Sequence, residues 1–491
     1  MKRTTIFHGI IDFTMHDYFS WSLLYYASEW IIRVVMLFVV PRKRHPNSAM
    51  AWLLVVFFLP WPGLILYLIL GRYRLPRRRI EQHGEFLEAL QSADLRWADH
   101  PHVTHPDIGP HAREAVKLAE KLGYMPILGG NDVELIAETE VFIDKLIADI
   151  DAAEHHVHLL FYIFADDSTG RRVAAALARA AKRGVKCRVL ADAVGSRPMF
   201  KRLAREMIAD GIELHPSLPV GLFRRHMARI DLRNHRKLAV IDGRVGYAGS
   251  QNIVDAGYGR KDLAWHDLML RLTGPILLEL QSVFIADWYF ETDQILEEDE
   301  YFPEPPLSGE IAAQTLPSGP TYPTENYQRI VVAALYAAER RVTITSPYFV
   351  PDGPFLQAMQ TAVLRGVEVE LIVPRRCDQK LVGAAGRSYF DDVLDMGVKL
   401  YLYDKGLLHA KTMCVDDSIA FIGSSNFDIR SFALNFEINL LFYGPEVAGQ
   451  LHAQQRRYMD DAFLLTAQRW AERSAVKKLF QNIARLVSPL L

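Results

Sequence analysis

Polarity along the chain follows one rule near the N-terminus and another beyond it. From Trp21 to Val40 the sequence WSLLYYASEWIIRVVMLFVV, and from Ala49 to Leu70 the sequence AMAWLLVVFFLPWPGLILYLIL, are nearly uninterrupted apolar runs. Each is close to the roughly 20 residues a helix needs to cross a bilayer core. Two membrane spans are expected. The second run has no charge, but Pro60, Pro62 and Gly63 imply a kink or a re-entrant turn within it. The first carries Glu29 and Arg33 one helical turn apart, placed to pair or to snorkel.

Farther along, the pattern alternates between helical and strand periods. VAAALARAAKRGVKCRVLAD and FLQAMQTAVLRGVEVELIVP each read as an amphipathic helix, a glycine turn at Gly184 or Gly366, and a buried strand. Each is preceded by another strand candidate, HVHLLFYIF and RVTITSPYFV, giving strand-helix-strand order with a right-handed crossover. The expected fold is therefore α/β, with two duplicated lobes, each a mixed sheet flanked by helices, meeting at a shared site behind an N-terminal membrane hairpin. The expected boundaries are a membrane segment over 1–80, a connecting region over 81–130, a first lobe over 131–292, an acidic Pro-rich linker over 293–324, and a second lobe with C-terminal helices over 325–491. The tail AVKKLFQNIARLVSPLL has apolar residues at helical spacing and is expected to pack on the core, with lying on the membrane as the alternative.

Composition narrows the class. Half of the 491 residues are hydrophobic and the formal net charge is −2, so no global basic bias points to nucleic acid. Basic residues cluster instead beside the apolar runs: Arg42, Lys43 and Arg44 between them, and Lys2, Arg3, Arg72, Arg74, Arg77, Arg78 and Arg79 on the outer flanks. By the positive-inside rule a hairpin with both ends in the cytoplasm is expected. PRKRHP after the first run stands where a signal-peptide cleavage site would need small residues. Cys187, Cys377 and Cys414 lack metal-ligand spacing and read as free thiols, with no disulfide framework and no metal site.

The chemistry lies in a repeat. RNHRKLAVIDGRVGYAGSQN contains His235, Lys237 and Asp242, followed by Gly249, Ser250 and Asn252; LHAKTMCVDDSIAFIGSSN repeats all six at matching offsets as His409, Lys411, Asp416, Gly423, Ser424 and Asn426. On a strand, residues two apart share a face, so each histidine points with its lysine into one pocket. Tight turns at Asp242-Gly243 and Asp416-Asp417 would return the serine and asparagine to the same end. Two lysines and two asparagines suit a tetrahedral anion, and two histidines can divide nucleophilic and proton-transfer work. Phosphate-ester chemistry fits this set. The two aspartates, at strand ends, read better as turn stabilisers than as proton donors.

The duplicated pattern resembles the two HKD motifs of the phospholipase D superfamily. PRKRHPNSAMAWLLVVFFLPWPGLILYLILGRYR, RNHRK, TSPYFVPD, LLHAKTMCVDD and GSSNFDIRSFALNFE further resemble bacterial cardiolipin synthases over nearly the whole chain. The resemblance implies a catalytic set of His235, Lys237, Asp242, His409, Lys411 and Asp416, with Ser250, Asn252, Ser424 and Asn426 binding substrate. It implies that Glu437 holds the histidine ring of the second half, and Asp267 that of the first. It implies transfer of a phosphatidyl group from one phosphatidylglycerol to another, with His235 as nucleophile and His409 as acid/base, no cofactor, no nucleic acid, and residence in the bacterial inner membrane as a multi-pass protein with cytoplasmic lobes. A hydrolytic phospholipase D acting on phosphatidylglycerol or phosphatidylethanolamine, and a non-catalytic lipid-binding scaffold, remain as alternatives. VGLFRRHMARIDLR, Val220 to Arg233, is a further candidate for contact with anionic lipid heads.

Overall fold

The computed structural model describes residues 6–42, 46–71, 79, 81, 82, 84, 85, 100–220, 232–260, 262–296, 299–322 and 324–487. The chain forms two compact units, Met1–Arg74 with Leu486–Leu491, and Leu75–Arg485.

In the N-terminal unit the first apolar run lies in the helix Ile6–Val39. Its Trp21–Val39 stretch is the one described helix long and apolar enough to cross a membrane. Arg33 bonds Glu29 at 3.3 Å and donates to the Phe57 carbonyl at 3.1 Å, so neither charge is left alone. The second run departs from expectation. It is two short helices, Pro46–Phe58 and Pro60–Leu70, broken at Leu59. Pro60 supplies no N–H to continue the first helix. Trp52 and Tyr67 then meet edge to face at 5.3 Å, which requires the second helix to fold back on the first. At 13 and 11 residues, and about 1.5 Å per residue, neither reaches across a core about 30 Å thick. The second expected span is thus a folded-back pair of short helices. Ile32, Met36, Val56 and Tyr67 form its small core.

In the larger unit the two strand-helix-strand segments form as expected. Ser168–Lys182 carries the chain from strand His156–Phe161 to the parallel strand Lys186–Asp192, and Gly353–Leu364 does the same between Arg341–Thr345 and Glu368–Pro374. The lobes share one sheet. From its middle outward, the first lobe orders Leu128–Ile136, Met269–Thr273, Val245–Gly249, Lys237–Ile241, His156–Phe161, Lys186–Asp192 and Glu213–Ser217. The second lobe runs the other way in matching order: Ile311–Ser318, Asn435–Tyr443, Ile419–Gly423, Thr412–Val415, Arg341–Thr345, Glu368–Pro374 and Lys399–Tyr403, with Ala462–Leu465 added at the edge.

Leu128–Ile136 and Ile311–Ser318 pair antiparallel at the seam. Ile311–Ser318 falls within the expected 293–324 linker, yet it is the second lobe's counterpart of the first lobe's opening strand. It is buried along its whole length and carries Gln314, Thr315 and Pro317, so no period-two pattern marks it in the sequence. The C-terminal helix Ala475–Val487 also departs from expectation: its apolar residues face outward rather than onto the core.

Candidate active site

Each HxK segment enters its strand beside the other lobe. Arg233–Asn234 pairs in parallel with the start of Asn435–Tyr443, and the His235 N–H donates to the Phe436 carbonyl at 2.8 Å. Symmetrically, Leu407–Leu408 pairs with Trp265–His266, and the His409 N–H donates to the His266 carbonyl at 2.7 Å. Side chains alternate along a strand, so the residue after each carbonyl presents its carboxylate to the incoming histidine.

The result is a crossed pair of dyads. His235 Nδ1 lies 3.0 Å from Glu437 Oε2, and His409 Nδ1 lies 2.6 Å from Asp267 Oδ1. This corrects the assignment of each carboxylate to the histidine of its own half. With Nδ1 committed to a carboxylate, Nε2 of each ring is the reactive nitrogen.

The serines do not line a substrate pocket but hold the carboxylates: Ser250 Oγ donates to Asp267 and Ser424 Oγ to Glu437, both at 2.6 Å. Ser250 and Ser424 reach them because Gly249 and Gly423 let the backbone press on the adjacent strand. A Cβ at either glycine would stand 2.4 Å from the Leu268 or Ile438 carbonyl oxygen. The Gly-Ser pair in each motif thus has a steric reason.

Asp242 and Asp416, predicted among the catalytic residues, are outside the site. Asp242 accepts backbone N–H bonds from Glu154, His155 and His156 at 2.8–2.9 Å, and Asp416 accepts them from Glu339, Arg340 and Arg341 at 2.7–2.8 Å. Both occupy the far end of the strand at positive φ, 53° and 52°. They tie the hairpin turn to the strand that precedes each lobe's crossover helix, the turn-stabilising role read from their strand-end position.

Lys237 and Lys411 are buried, each donating to the carbonyl of its own motif's histidine at 2.6 and 2.5 Å. Burial pushes Lys237 down to about 7 and Lys411 well below the usual lysine range, although both feel Glu437 and Asp267. Burial likewise pushes both histidines to about 4; Glu437 opposes this at His235 while Lys237 and Lys411 reinforce it, and at His409 the two lysines reinforce it against Asp267. Burial works against ionisation of Asp267 and Glu437 too, but their histidine, lysine and serine partners hold both carboxyls below the ordinary range. Each lysine senses both carboxylates, and each histidine the other motif's lysine, so the two motifs make one electrostatic unit. Neutral imidazoles thus face two buried lysine amines, neither of which forms an ion pair among the described residues.

Asn252 accepts from the Ile163 N–H at 2.9 Å, leaving its amide nitrogen buried and unpartnered among the described residues; the Asn426 amide oxygen is likewise unpartnered there. Two residues not singled out from sequence cover the histidines. Tyr162 lies 4.8 Å from the His235 ring and Trp265 4.4 Å from the His409 ring, measured between centroids. Trp265 precedes Asp267 by two, a same-face spacing that was there to be read. Arg236, between His235 and Lys237, is also functional by position. It pairs with buried Asp287 at 2.6 Å and donates to the Glu437 carbonyl at 3.1 Å, fixing both members of that dyad. The side chain of His235 is 12% exposed and that of His409 3%, so the site opens on the His235 side. Most of the candidate lipid-contact segment, residues 221–231, lies outside the described residues.

Two lobes on one sheet, each lending a carboxylate to the other's histidine, define a phospholipase D-type fold and site. The chain superposes on the crystal structure of phosphatidylserine synthase from Haemophilus influenzae Rd KW20 with a TM-score of 0.58 at 15% identity, covering 77% of this chain and 98% of that one. Residues 146–288 and 331–459 match the family described as cardiolipin synthase, PLD-like domain, and residues 31–72 match the phospholipase D-nuclease N-terminal family. Cardiolipin synthase A of Klebsiella pneumoniae strain 342 is 35% identical over 97% of this chain and all of its own length; that of Proteus mirabilis strain HI4320 is 34% identical with the same coverage. The chain belongs to the cardiolipin synthase family of the phospholipase D superfamily.

Proposed function

We propose that this protein is a membrane-bound phosphatidyltransferase that makes cardiolipin and glycerol from two molecules of phosphatidylglycerol through a phosphohistidine. The observation that carries the reading is the pair of neutral imidazoles, each with Nδ1 on a carboxylate, beside two buried lysines that form no ion pair among the described residues. His235 Nε2 attacks phosphorus, the bond from phosphorus to the departing glycerol oxygen breaks, and a proton from His409 Nε2 goes to that oxygen. The diester's negative charge between the lysines offsets their effect on His409 and lets it carry that proton. His409 then takes the proton of a second phosphatidylglycerol's terminal hydroxyl, whose oxygen attacks phosphorus as the bond to His235 Nε2 breaks. Lys237, Lys411 and the free amide of Asn252 stabilise the equatorial oxygens. The covering of His409 by Trp265 supports transfer over hydrolysis, because it keeps water from the group that activates the acceptor.

We also infer that the catalytic lobes are cytoplasmic. With one span and a re-entrant pair, Arg42, Lys43, Arg44, Arg72, Arg74, Arg77, Arg78 and Arg79 share the lobes' side, against Lys2 and Arg3 on the other.

Purified full-length protein in phosphatidylglycerol micelles should release glycerol and cardiolipin in equal amounts. Phosphatidic acid without cardiolipin would overturn the reading in favour of a hydrolase. The pH profile has a definite sign. Read on labelling by a nitrophenyl phosphodiester, whose leaving group departs without the His409 proton, Lys237 stabilises the phosphoryl group only when charged, so the labelling rate should fall as pH rises through about 7, far below the ordinary lysine range; His235 attacks only when neutral, so the rate should fall again below about 4. Lys237→Arg, which stays charged, should remove the alkaline fall while lowering the maximum.

A further inference from the structure

The C-terminal helix Ala475–Val487 is built inside out for a globular protein. A surface helix normally turns its apolar stripe to the core. Here Gln481 and Ala484 are buried, while Val476, Leu479, Phe480, Ile483 and Leu486 are 51–77% exposed. At about 100° per residue these five fall within an arc of roughly 120°, a continuous outward stripe. Polar bonds hold the helix in this orientation: Arg485 donates to Asp392 at 2.6 Å, and Arg473 bridges Gln481 at 2.9 Å and Asp391 at 2.7 Å. These anchors consume Arg485 and Arg473. Lys477 and Lys478 remain, about 60° and 80° beyond the two edges of the stripe, with no ion pair among the described residues, and the helix carries no acidic residue.

We propose that this helix is a second membrane contact, lying in the interface of an anionic phospholipid bilayer with its apolar stripe among the acyl chains and Lys477 and Lys478 among the headgroup phosphates. The charge pattern selects this occupant over a second copy of the chain: a helix whose only charges are basic, two of them outside any ion pair among the described residues, complements anionic headgroups and would repel its own copy, and each lysine contributes about fivefold in affinity near such a surface. The inference builds on the proposed phosphatidylglycerol substrate, since the same lipid would hold the helix and feed the site.

The test uses the full-length chain with Cys377→Ser, because Cys187 and Cys414 are buried. A spin label is placed singly at position 479, 480, 483 or 482, and the protein is reconstituted in phosphatidylglycerol or phosphatidylcholine vesicles. Labels at 479, 480 and 483 should meet oxygen dissolved in the bilayer more readily than a water-soluble nickel chelate, and the label at 482 should show the reverse. In phosphatidylcholine, or with Lys477→Glu and Lys478→Glu, the lipid exposure should drop. Uniform water exposure in phosphatidylglycerol, insertion indifferent to headgroup charge, or shielding from both reagents with label–label broadening would each overturn the proposal, the last in favour of a dimer contact. This readout needs no turnover, so it fails or succeeds independently of the proposed reaction. As a functional arm, Leu479→Glu with Ile483→Glu should raise KM for vesicle phosphatidylglycerol at least about tenfold, a loss of the size expected from removing such apolar contacts, and leave kcat in micelles unchanged.

Discussion

His235→Ala should abolish both cardiolipin formation and covalent capture of the phosphatidyl group, with turnover lower by about 10⁶-fold, as when the nucleophile of a covalent mechanism is deleted. Acid quenching of the wild-type protein with labelled donor should leave the label on a peptide containing His235. His409→Ala should lose natural turnover, because no acid remains to protonate glycerol, but its nucleophile is intact. A nitrophenyl phosphodiester, whose leaving group departs without a proton, should therefore still label it, and the adduct should accumulate because nothing activates the acceptor. Label on His409, with His235→Ala still able to form it, would exchange the two roles. The greater exposure of His235 favours its meeting the donor first.

The crossed dyads give the second large effect. Glu437→Gln removes the acceptor that holds the His235 Nδ1 proton, and its amide can instead donate to Nδ1, driving the proton to Nε2 and blocking attack. Loss of the correct tautomer in a comparable dyad costs about 10⁴-fold. Labelling by the nitrophenyl donor should slow by that order in Glu437→Gln. Asp267→Asn should leave labelling nearly intact and slow only the second step, so its adduct persists as in His409→Ala. Were each carboxylate to serve its own motif's histidine, the two variants would exchange phenotypes. The comparison thus tests the tertiary arrangement through chemistry.

Some of the site was legible one residue at a time. Period two put His235 with Lys237 and His409 with Lys411, and the tight turns at Asp242-Gly243 and Asp416-Asp417 appear as positive φ at all four residues. Glu437 and Asp267 were recognisable as carboxylates that hold rings. Their partners were not, because a spacing along one chain does not say which of two similar halves a strand end will meet. Ser250 and Ser424 were misread for a related reason: an exposed and a buried hydroxyl look alike in sequence, and only the strand pairing brings Leu268 and Ile438, and with them the two carboxylates, within reach. The second apolar run shows the same limit. Its length suggested a span and Pro60 a break, and the Trp52–Tyr67 contact decides for the fold-back.

By itself, then, the sequence determined what depends on local period and residue chemistry: two α/β halves, an apolar N-terminal segment, and a repeated set of histidine, lysine, serine and asparagine suited to a phosphodiester. Tertiary structure alone decided what depends on which distant segments pair. It joined both lobes in one sheet through Ile311–Ser318, crossed the histidine–carboxylate dyads, withdrew Asp242 and Asp416 from the chemistry, and turned the stripe of Ala475–Val487 outward. The physical reason is common to all four. Backbone pairing and burial are set by contacts between residues far apart in the chain, and two segments with the same local pattern can satisfy them in more than one way.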